Sequence, residues 1–274
     1  MRALKGVAVC VMKAYYDGSV GTDENGDEWI TLGAIAGTDE VWARFDQKWD
    51  KMLKSRYPIA PYIHMIEVLD NKDPFDSLSG WDEDRKKALI HDAIVLLSQM
   101  DKAGFRMAWS SINESARRRW EQQGEEVISD PFSKCAAECA YLTVGAYIQN
   151  VPDEEKREPI CLFYDRGEPF LGRFKNRWLK GRTKPGKPRP TNPDNGWDVF
   201  ADVQEIDLPF HFGVQAADMV AWANSRALTA MERPFHYLRE WLLEVVPSSR
   251  IEHDERTVRH PDKNKYELWQ RLFN

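Results

Sequence analysis

Apolar runs separated by amphipathic stretches set the pattern of this chain. Runs rich in β-branched and aromatic residues predict five buried strands: Val7–Tyr16, Trp29–Ala36, Phe105–Ser110, Pro159–Tyr164 and Val199–Ile206. The first strand is predicted to end in a turn at Asp17-Gly18-Ser19, and the polar residues Gly21–Glu28 are predicted to form the loop of a hairpin. The chain therefore opens with two strands joined by a short connection.

Apolar residues spaced three and four apart predict helices between and after these strands: Thr38 to about Leu53, Asp82–Ala103, Asp130–Asn150, Pro169–Lys180, Gly213–Ala230 and Pro234–Val246. Pro61–Leu69 is predicted to be extended, and Thr183–Asn195 to be a loop. Strands alternating with helices after a hairpin predict an α/β fold with a mixed sheet flanked by helices. We expect one domain over 1–246, with a basic insertion around 171–195 and a C-terminal extension over 247–274.

Composition supports a packed, cytoplasmic protein. Hydrophobic residues make up 42% of the 274 residues and charged residues 30%, which favours a sizeable core over disorder. The four cysteines lack zinc-site spacing and are interpreted as buried, reduced thiols. Neither a secretion signal nor an apolar run of 18 residues is present, so we expect no membrane partner. The oligomeric state is not predicted.

The charge is unevenly distributed along the chain. Eight basic residues and no acidic one lie between Leu171 and Pro190: Arg173, Lys175, Arg177, Lys180, Arg182, Lys184, Lys187 and Arg189. Without this basic strip, 30 basic residues face 44 acidic ones, a net charge of −14, whereas the whole chain carries −6. The basic strip predicts contact with nucleic acid, with Trp178 or Trp197 stacking on unpaired bases. A solvated, flexible loop is the alternative interpretation.

Three aspartates are the main candidates for chemistry. Asp17 and Asp165 each follow an apolar predicted strand, where α/β sheets bind ligands. Asp218 lies on a helical stripe with Gln215 and Trp222, close to the helix N-terminus. Ordinary turn-forming or capping roles are the alternative for each. If the three carboxylates converge, they require a cation, and hard oxygen ligands favour Mg²⁺ or Mn²⁺.

His64 and Glu67 are further catalytic candidates. In a strand they would face opposite sides, whereas in a helical or irregular turn they would be neighbours. His64 is a candidate proton carrier near neutral pH, although a structural role is the alternative.

These residues resemble a known family, the domain-of-unknown-function family numbered 3800, a prokaryotic and phage-associated group. The resemblance covers about Val7 to Arg233 and is clearest in these segments: Tyr15-Tyr16-Asp17-Gly18-Ser19, Phe45-Asp46-Gln47-Lys48-Trp49 with Leu53, Ile63-His64-Met65-Ile66-Glu67, Phe163-Tyr164-Asp165-Arg166 and Gly213–Trp222. It implies an RNase H-like fold and a candidate metal site. The family commonly has Glu after the first Asp, whereas this chain has Gly18, which implies a weakened site unless another acid substitutes.

Three functions follow as hypotheses. The first is a metal-dependent nuclease or related hydrolase of phosphodiesters, with Asp17, Asp165 and Asp218 as metal ligands and His64 or Glu67 assisting proton transfer. The second, motivated by Gly18, is a catalytically weakened protein that binds nucleic acid or a partner protein in a phage or defence context. The third, motivated by the acidic body, is a hydrolase of small phosphorylated substrates.

Overall fold

A computed structural model describes residues 12–102, 104–124, 130–150, 160–168, 171–181, 200–229 and 250–253. The strands in these ranges are β1 (Met12–Thr22), β2 (Glu28–Thr38), β3 (Arg106–Asn113), β4 (Ile160–Asp165), β5 (Phe200–Ile206) and β6 (Arg250–His253). They form one six-stranded sheet in the order β5-β4-β1-β2-β3-β6. β2 is antiparallel to β1 and β3, whereas β1–β4, β4–β5 and β3–β6 are parallel pairs.

Helices cover both faces of this sheet. Those in the described ranges are α1 (Asp39–Lys54), α2 (Met65–Leu69), α3 (Glu83–Lys102), α4 (Glu114–Gln122), α5 (Pro131–Asn150), α6 (Leu171–Gly181) and α7 (Phe212–Leu228), and Leu208–Phe210 forms a 3₁₀ turn. One core cluster joins α1, α3 and α7 to the sheet, and a second joins α5 and α6 to its other face. The predicted α/β architecture, a mixed sheet flanked by helices, is confirmed.

The opening hairpin is longer than the sequence predicts. β1 continues through Asp17-Gly18-Ser19, so the predicted turn there is wrong, and Gly18 pairs opposite Leu32. The chain turns at 23–27 instead, where Asp23 Oδ1 accepts the backbone N–H groups of Asn25 and Asp27, both at 2.9 Å. Pairing with β2 along its whole length therefore outweighs the local turn preference of Asp-Gly-Ser. As a result, Asp17 lies within a rigid strand.

Two helices differ from the prediction. Pro61–Leu69 is predicted to be extended, but Met65–Leu69 forms α2, whose Met65 and Val68 side chains are buried. α4, which the sequence pattern did not predict, begins after Asn113, whose side-chain oxygen accepts the N–H of Ala116 at 2.8 Å. α2 depends on contacts to distant segments, and α4 depends on local capping. Hydrophobic periodicity detects neither of these causes.

The cysteines also need one correction. Cys135 and Cys139 are free and buried in α5, as predicted, but Cys161 on β4 is disulfide-bonded rather than reduced. Cys10 lies outside the described residues, as do Thr183–Asn195 and Pro234–Val246. None of the described helices has the length and apolar character needed to cross a membrane.

The backbone of α7 lies directly on β2. A Cβ added to Gly33 would come within 2.4 Å of the Ala221 nitrogen and 2.7 Å of the Ala217 oxygen. No side chain larger than hydrogen fits at this point, so Gly33 sets the distance between helix and sheet. α7 is consequently held close above β1 and β2, where its side chains reach residues of the sheet.

Candidate active site

Two of the predicted acids lie side by side on neighbouring parallel strands. The pairing of β1 with β4 extends to Tyr16 opposite Tyr164, and Asp17 and Asp165 are the next residues on each strand. Tyr16 and Tyr164 stack with ring centroids 4.6 Å apart in the core beneath α5. Because successive strand residues point to opposite faces, Asp17 and Asp165 point toward the face covered by α7.

α7 supplies the third predicted acid. Asp218 is 6% exposed, and its Oδ2 accepts the Met65 N–H at 2.6 Å. One turn earlier, Gln215 Oε1 accepts the Trp49 Nε1–H at 2.9 Å and the Ile63 N–H at 3.1 Å. These bonds tie α7 to the segment between Ile63 and Met65. They fix the position of Asp218 over the sheet.

Asp17 lies at the centre of a group of carboxyls. The Asp218 and Glu168 carboxyls are close enough to it that their charges raise the pKa of Asp17. The Gly18 N–H donates to Asp17 Oδ1 at 2.9 Å and also to Glu168 Oε1 at 2.8 Å, so both oxygens lie around one backbone nitrogen. Asp165 is close enough to Asp17 to influence its pKa. The structure thus brings the three predicted aspartates together with a fourth acid, Glu168.

All four acids resist ionisation. Burial, the largest cause in each case, raises the pKa of Asp17 well above its ordinary value and that of Asp218 to about 6. It also raises the pKa of Glu168 and Asp165, and the neighbouring negative charges add to the effect at every one of the four carboxyls. The bond to Asp17 lowers the pKa of Glu168 and Asp218, as expected if neutral Asp17 donates its proton to these two carboxylates.

His64 lies next to this group, and Glu67 lies next to His64. His64 Nδ1 is 3.3 Å from Glu67 Oε1, because the chain forms α2 here, and Glu67 Oε2 accepts the Tyr62 hydroxyl proton at 2.7 Å. Burial and the bond to Glu67 raise the pKa of Tyr62. The positive field of His64 lowers the pKa of both Asp165 and Asp218. His64 is therefore a basic group next to the acids, oriented by Glu67.

The donor set fits a hard divalent cation in its chemistry. Within the described ranges, no group of three or more His, Cys, Asp or Glu side chains is arranged to hold a metal ion. The carboxyls accept backbone N–H groups: Gly18 donates to Asp17 and Glu168, and Met65 donates to Asp218. Clustered carboxylates with oxygen donors alone are the ligands that suit Mg²⁺ or Mn²⁺, and such an ion would offset their mutual repulsion.

Glu168 is the site residue that the sequence interpretation missed. It follows Asp165 by three residues, after a turn in which Gly167 has φ +90° and donates its N–H to Glu205 Oε1 at 3.0 Å. The turn directs Glu168 back toward Asp17 rather than onward along the strand. An acid next to a glycine after a strand is too common a signal to identify the residue without the β1–β4 register.

The basic strip lies partly on α6 and partly outside the described residues. Its described residues are Arg173, Lys175, Arg177 and Lys180, and those outside are Arg182, Lys184, Lys187 and Arg189. Lys175 and Lys180 are exposed, whereas Arg173 Nε pairs with Asp130 Oδ2 at 3.0 Å. Trp178 is 3% exposed in the core, so the expectation that it stacks on bases is wrong, and Trp197 lies outside the described residues.

Comparisons with known proteins identify no family for this chain. No protein-family model matches the chain, and no curated protein does. Among solved structures, it is similar to a chain in the structure of the PCNA:RNase HII complex from Archaeoglobus fulgidus, with 14% identity, 88% of this chain and 93% of that chain covered, and a TM-score of 0.38. A structural similarity this weak gives no information about activity. Membership of family 3800 stays a prediction.

Proposed function

We propose that the protein is a metal-dependent nuclease or related hydrolase of phosphodiesters, with Asp17, Asp165 and Asp218 as ligands of Mg²⁺ or Mn²⁺. One observation carries the proposal: the buried Asp17 carboxyl and the Glu168 carboxyl both accept the Gly18 N–H, and the buried Asp218 carboxyl is close enough to raise the pKa of Asp17. Clustering ionised acids in a core costs stability, and a bound cation would offset that cost. Acids in this arrangement suit the binding of a cation and the chemistry that the cation supports.

The residues of the proposed site have two roles, cation binding and proton transfer. A bound Mg²⁺ or Mn²⁺ would polarise a phosphoryl oxygen and lower the pKa of a bound water. Asp17, Asp165 and Asp218 would hold the ion. His64, oriented by Glu67, lies where it could hold or deliver a proton beside the acids.

The basic strip is proposed to bind the phosphate backbone of nucleic acid. Its α6 part begins at Leu171, whose N–H donates to the Glu168 carbonyl oxygen at 3.1 Å, so the basic helix starts directly beside the acidic site. The exposed Lys175 and Lys180 provide positive charge on an otherwise acidic molecule.

Cleavage assays with Mn²⁺ or Mg²⁺ test the proposal. Wild-type protein is incubated with single-stranded and duplex DNA and RNA, with hybrids and with free nucleotides. Asp17→Asn and Asp218→Asn should each reduce metal-dependent cleavage by about 100-fold or more, since each removes a ligand charge while keeping side-chain volume. Asp202→Asn is the matched control, because among the described residues Asp202 on β5 bonds to its chain neighbours, the Val203 N–H at 2.8 Å and Gln204.

The result that contradicts the proposal is metal-dependent cleavage at the wild-type rate by both Asp17→Asn and Asp218→Asn, with circular dichroism showing both folded. Cleavage of nucleotides but of no polymer would favour a hydrolase of small phosphorylated substrates, the hypothesis motivated by the acidic body.

A binding protein with a weakened site is the second candidate. Two observations favour it: position 18 is glycine, and the described residues contain no preformed metal group. Titration with Mn²⁺, followed by calorimetry, separates the candidates. A protein that binds nucleic acid but takes up no Mn²⁺ at millimolar concentration fits the binding role, whereas saturable uptake lost in Asp17→Asn fits the enzyme.

A further inference from the structure

We propose that the exposed ring of Phe210 stacks on an unpaired base of the bound nucleic acid, which makes a single strand the preferred polymer at this site. The class of ligand rests on the proposed function, in which the protein acts on phosphodiesters. The stacking itself needs no cation, so it can be tested in the absence of metal and can fail separately from catalysis.

Phe210 is exposed in a protein that buries most of its aromatic side chains. Among the aromatic residues whose side chains the structure describes, two are exposed, Tyr57 at 87% and Phe210 at 79%. Trp178, which the sequence suggested as a stacking residue, is buried in the core. Stacking on a base requires an open ring face, and Phe210 provides one.

The turn that carries Phe210 is bonded directly to an acid of the site. The N–H of Leu208, the first residue of this 3₁₀ turn, donates to Asp165 Oδ1 at 2.8 Å. A 3₁₀ turn advances about 2 Å per residue, so Phe210 lies about 4 Å further along the turn axis. A base next to a phosphodiester at the acids is therefore within reach of the ring.

Hydrogen bonds on both sides hold this turn in place. Gln215 Nε2 on α7 donates to the carbonyl oxygens of Leu208 at 3.2 Å and Pro209 at 3.5 Å. Within the turn, the Phe210 N–H donates to the Asp207 oxygen at 3.1 Å and the His211 N–H to the Leu208 oxygen at 3.2 Å. The ring is thus presented to solvent by a fixed backbone, and little order is lost when a base stacks on it.

The size of the exposed ring favours a base over a protein partner. A stable protein interface buries about 800 Å² on each side, whereas one aromatic side chain buries about 150–250 Å². A single ring is sufficient to stack on one base, and every base offers a π-face. In a duplex those faces are covered by the neighbouring base pairs, so the ring distinguishes single strands from duplexes.

Fluorescence anisotropy of a labelled oligothymidylate, titrated with the full chain in EDTA, tests the proposal. Phe210→Ala should weaken binding by about 5- to 100-fold, the range expected when one stacking platform is removed. Phe210→Tyr keeps the ring and should restore the affinity, whereas Phe210→Leu, apolar but not planar, should not. Tyr57→Ala is the matched control, because it removes an equally exposed ring on the loop after α1 and should leave the affinity unchanged.

The same proteins are then titrated with an abasic strand of equal length and with a duplex. Neither ligand offers an unpaired base, so wild type and Phe210→Ala should bind each of them with equal affinity. A general loss of charge or of folding would instead weaken the binding of all three ligands.

Equal affinity of wild type and Phe210→Ala for the single strand would overturn the proposal, as would an equal loss on the abasic strand. If cleavage in Mn²⁺ still depended on Asp17 and Asp218, the proposed function would stand without the stacking residue. Binding that depends on Phe210, in a protein without metal-dependent cleavage, would support the stacking residue and contradict the enzyme. A wild-type protein that binds no single strand would overturn the role of Phe210.

Discussion

At the scale of single residues, raised pKa values explain how four acids coexist in a core. Burial and the neighbouring negative charges favour the neutral form of each carboxyl, so protons are retained to a higher pH than on a free acid. The folded protein without metal therefore binds more protons than the unfolded chain near pH 5. Its stability should fall as the pH rises.

Asp218→Asn tests this linkage. The folded-state pKa of Asp218, about 6, exceeds the ordinary value of 3.8, so its contribution is fully present below pH 3.8 and is lost as the pH rises through 6. In EDTA at pH 8, the variant should exceed the wild type in free energy of unfolding by about 1–3 kcal/mol, and the gap should close toward pH 4. Urea unfolding at several pH values measures it. Parallel pH profiles for the two proteins would contradict the raised pKa.

At the scale of elements, the site depends on how closely α7 approaches the sheet. Asp17 and Asp165 are fixed by the register of two strands, but Asp218 reaches them because Gly33 lets the helix backbone rest on β2. The geometry of the acids is therefore set partly by a residue that carries no functional group.

Gly33→Ala should destabilise the protein by about 1–3 kcal/mol, since the new methyl meets helix backbone that cannot rotate away. It should also reduce Mn²⁺ affinity by moving Asp218 away from Asp17. Thermal unfolding and calorimetry measure the two effects. As a contrast, Gly172→Ala on α6 places its Cβ in open space and should stabilise the helix by up to about 1 kcal/mol. If Gly33→Ala changed neither the stability nor the Mn²⁺ affinity, α7 would be free to shift away from the sheet.

Much of the element order was predictable, because strands and long helices have strong local patterns. The cluster of Asp17, Asp165 and Asp218 was predictable as candidates, since two follow apolar strands and one lies on a helical stripe. Glu168 was not predictable, because its role depends on the register between β1 and β4 and on the turn at Gly167. From the sequence, Gly18 indicates that a carboxylate is missing at this position. In the structure, the Glu168 carboxylate occupies the space that a side chain at position 18 would take.

At the scale of the whole molecule, charge is divided between an acidic body and the basic strip. The net charge of −6 repels a polyanion, so attraction must be local. α6 and α1 lie on opposite faces of the sheet, and both carry exposed lysines. The proposal that the α6 face binds nucleic acid can thus be tested by direct comparison with the α1 face.

Lys175→Gln with Lys180→Gln should weaken binding of single-stranded DNA. It should also reduce the slope of log affinity against log salt by about 0.7 for each phosphate that is no longer neutralised. Lys48→Gln with Lys51→Gln on α1 changes the net charge equally and should leave both quantities unaltered. Fluorescence anisotropy across a salt series gives the slopes. Equal effects of the two pairs would indicate a general charge effect and contradict a specific role of α6.

The raised pKa values of the carboxyls would also make cation uptake an exchange reaction. If the proposed site binds an ion, that ion displaces hydrogens held by Asp17, Glu168 and Asp218, so binding would acidify an unbuffered solution and its affinity would increase with pH. The protein would then be saturated with Mg²⁺ or Mn²⁺ in mildly alkaline surroundings and empty in acidic ones. Such a core would respond to acidity and to cation supply at the same position.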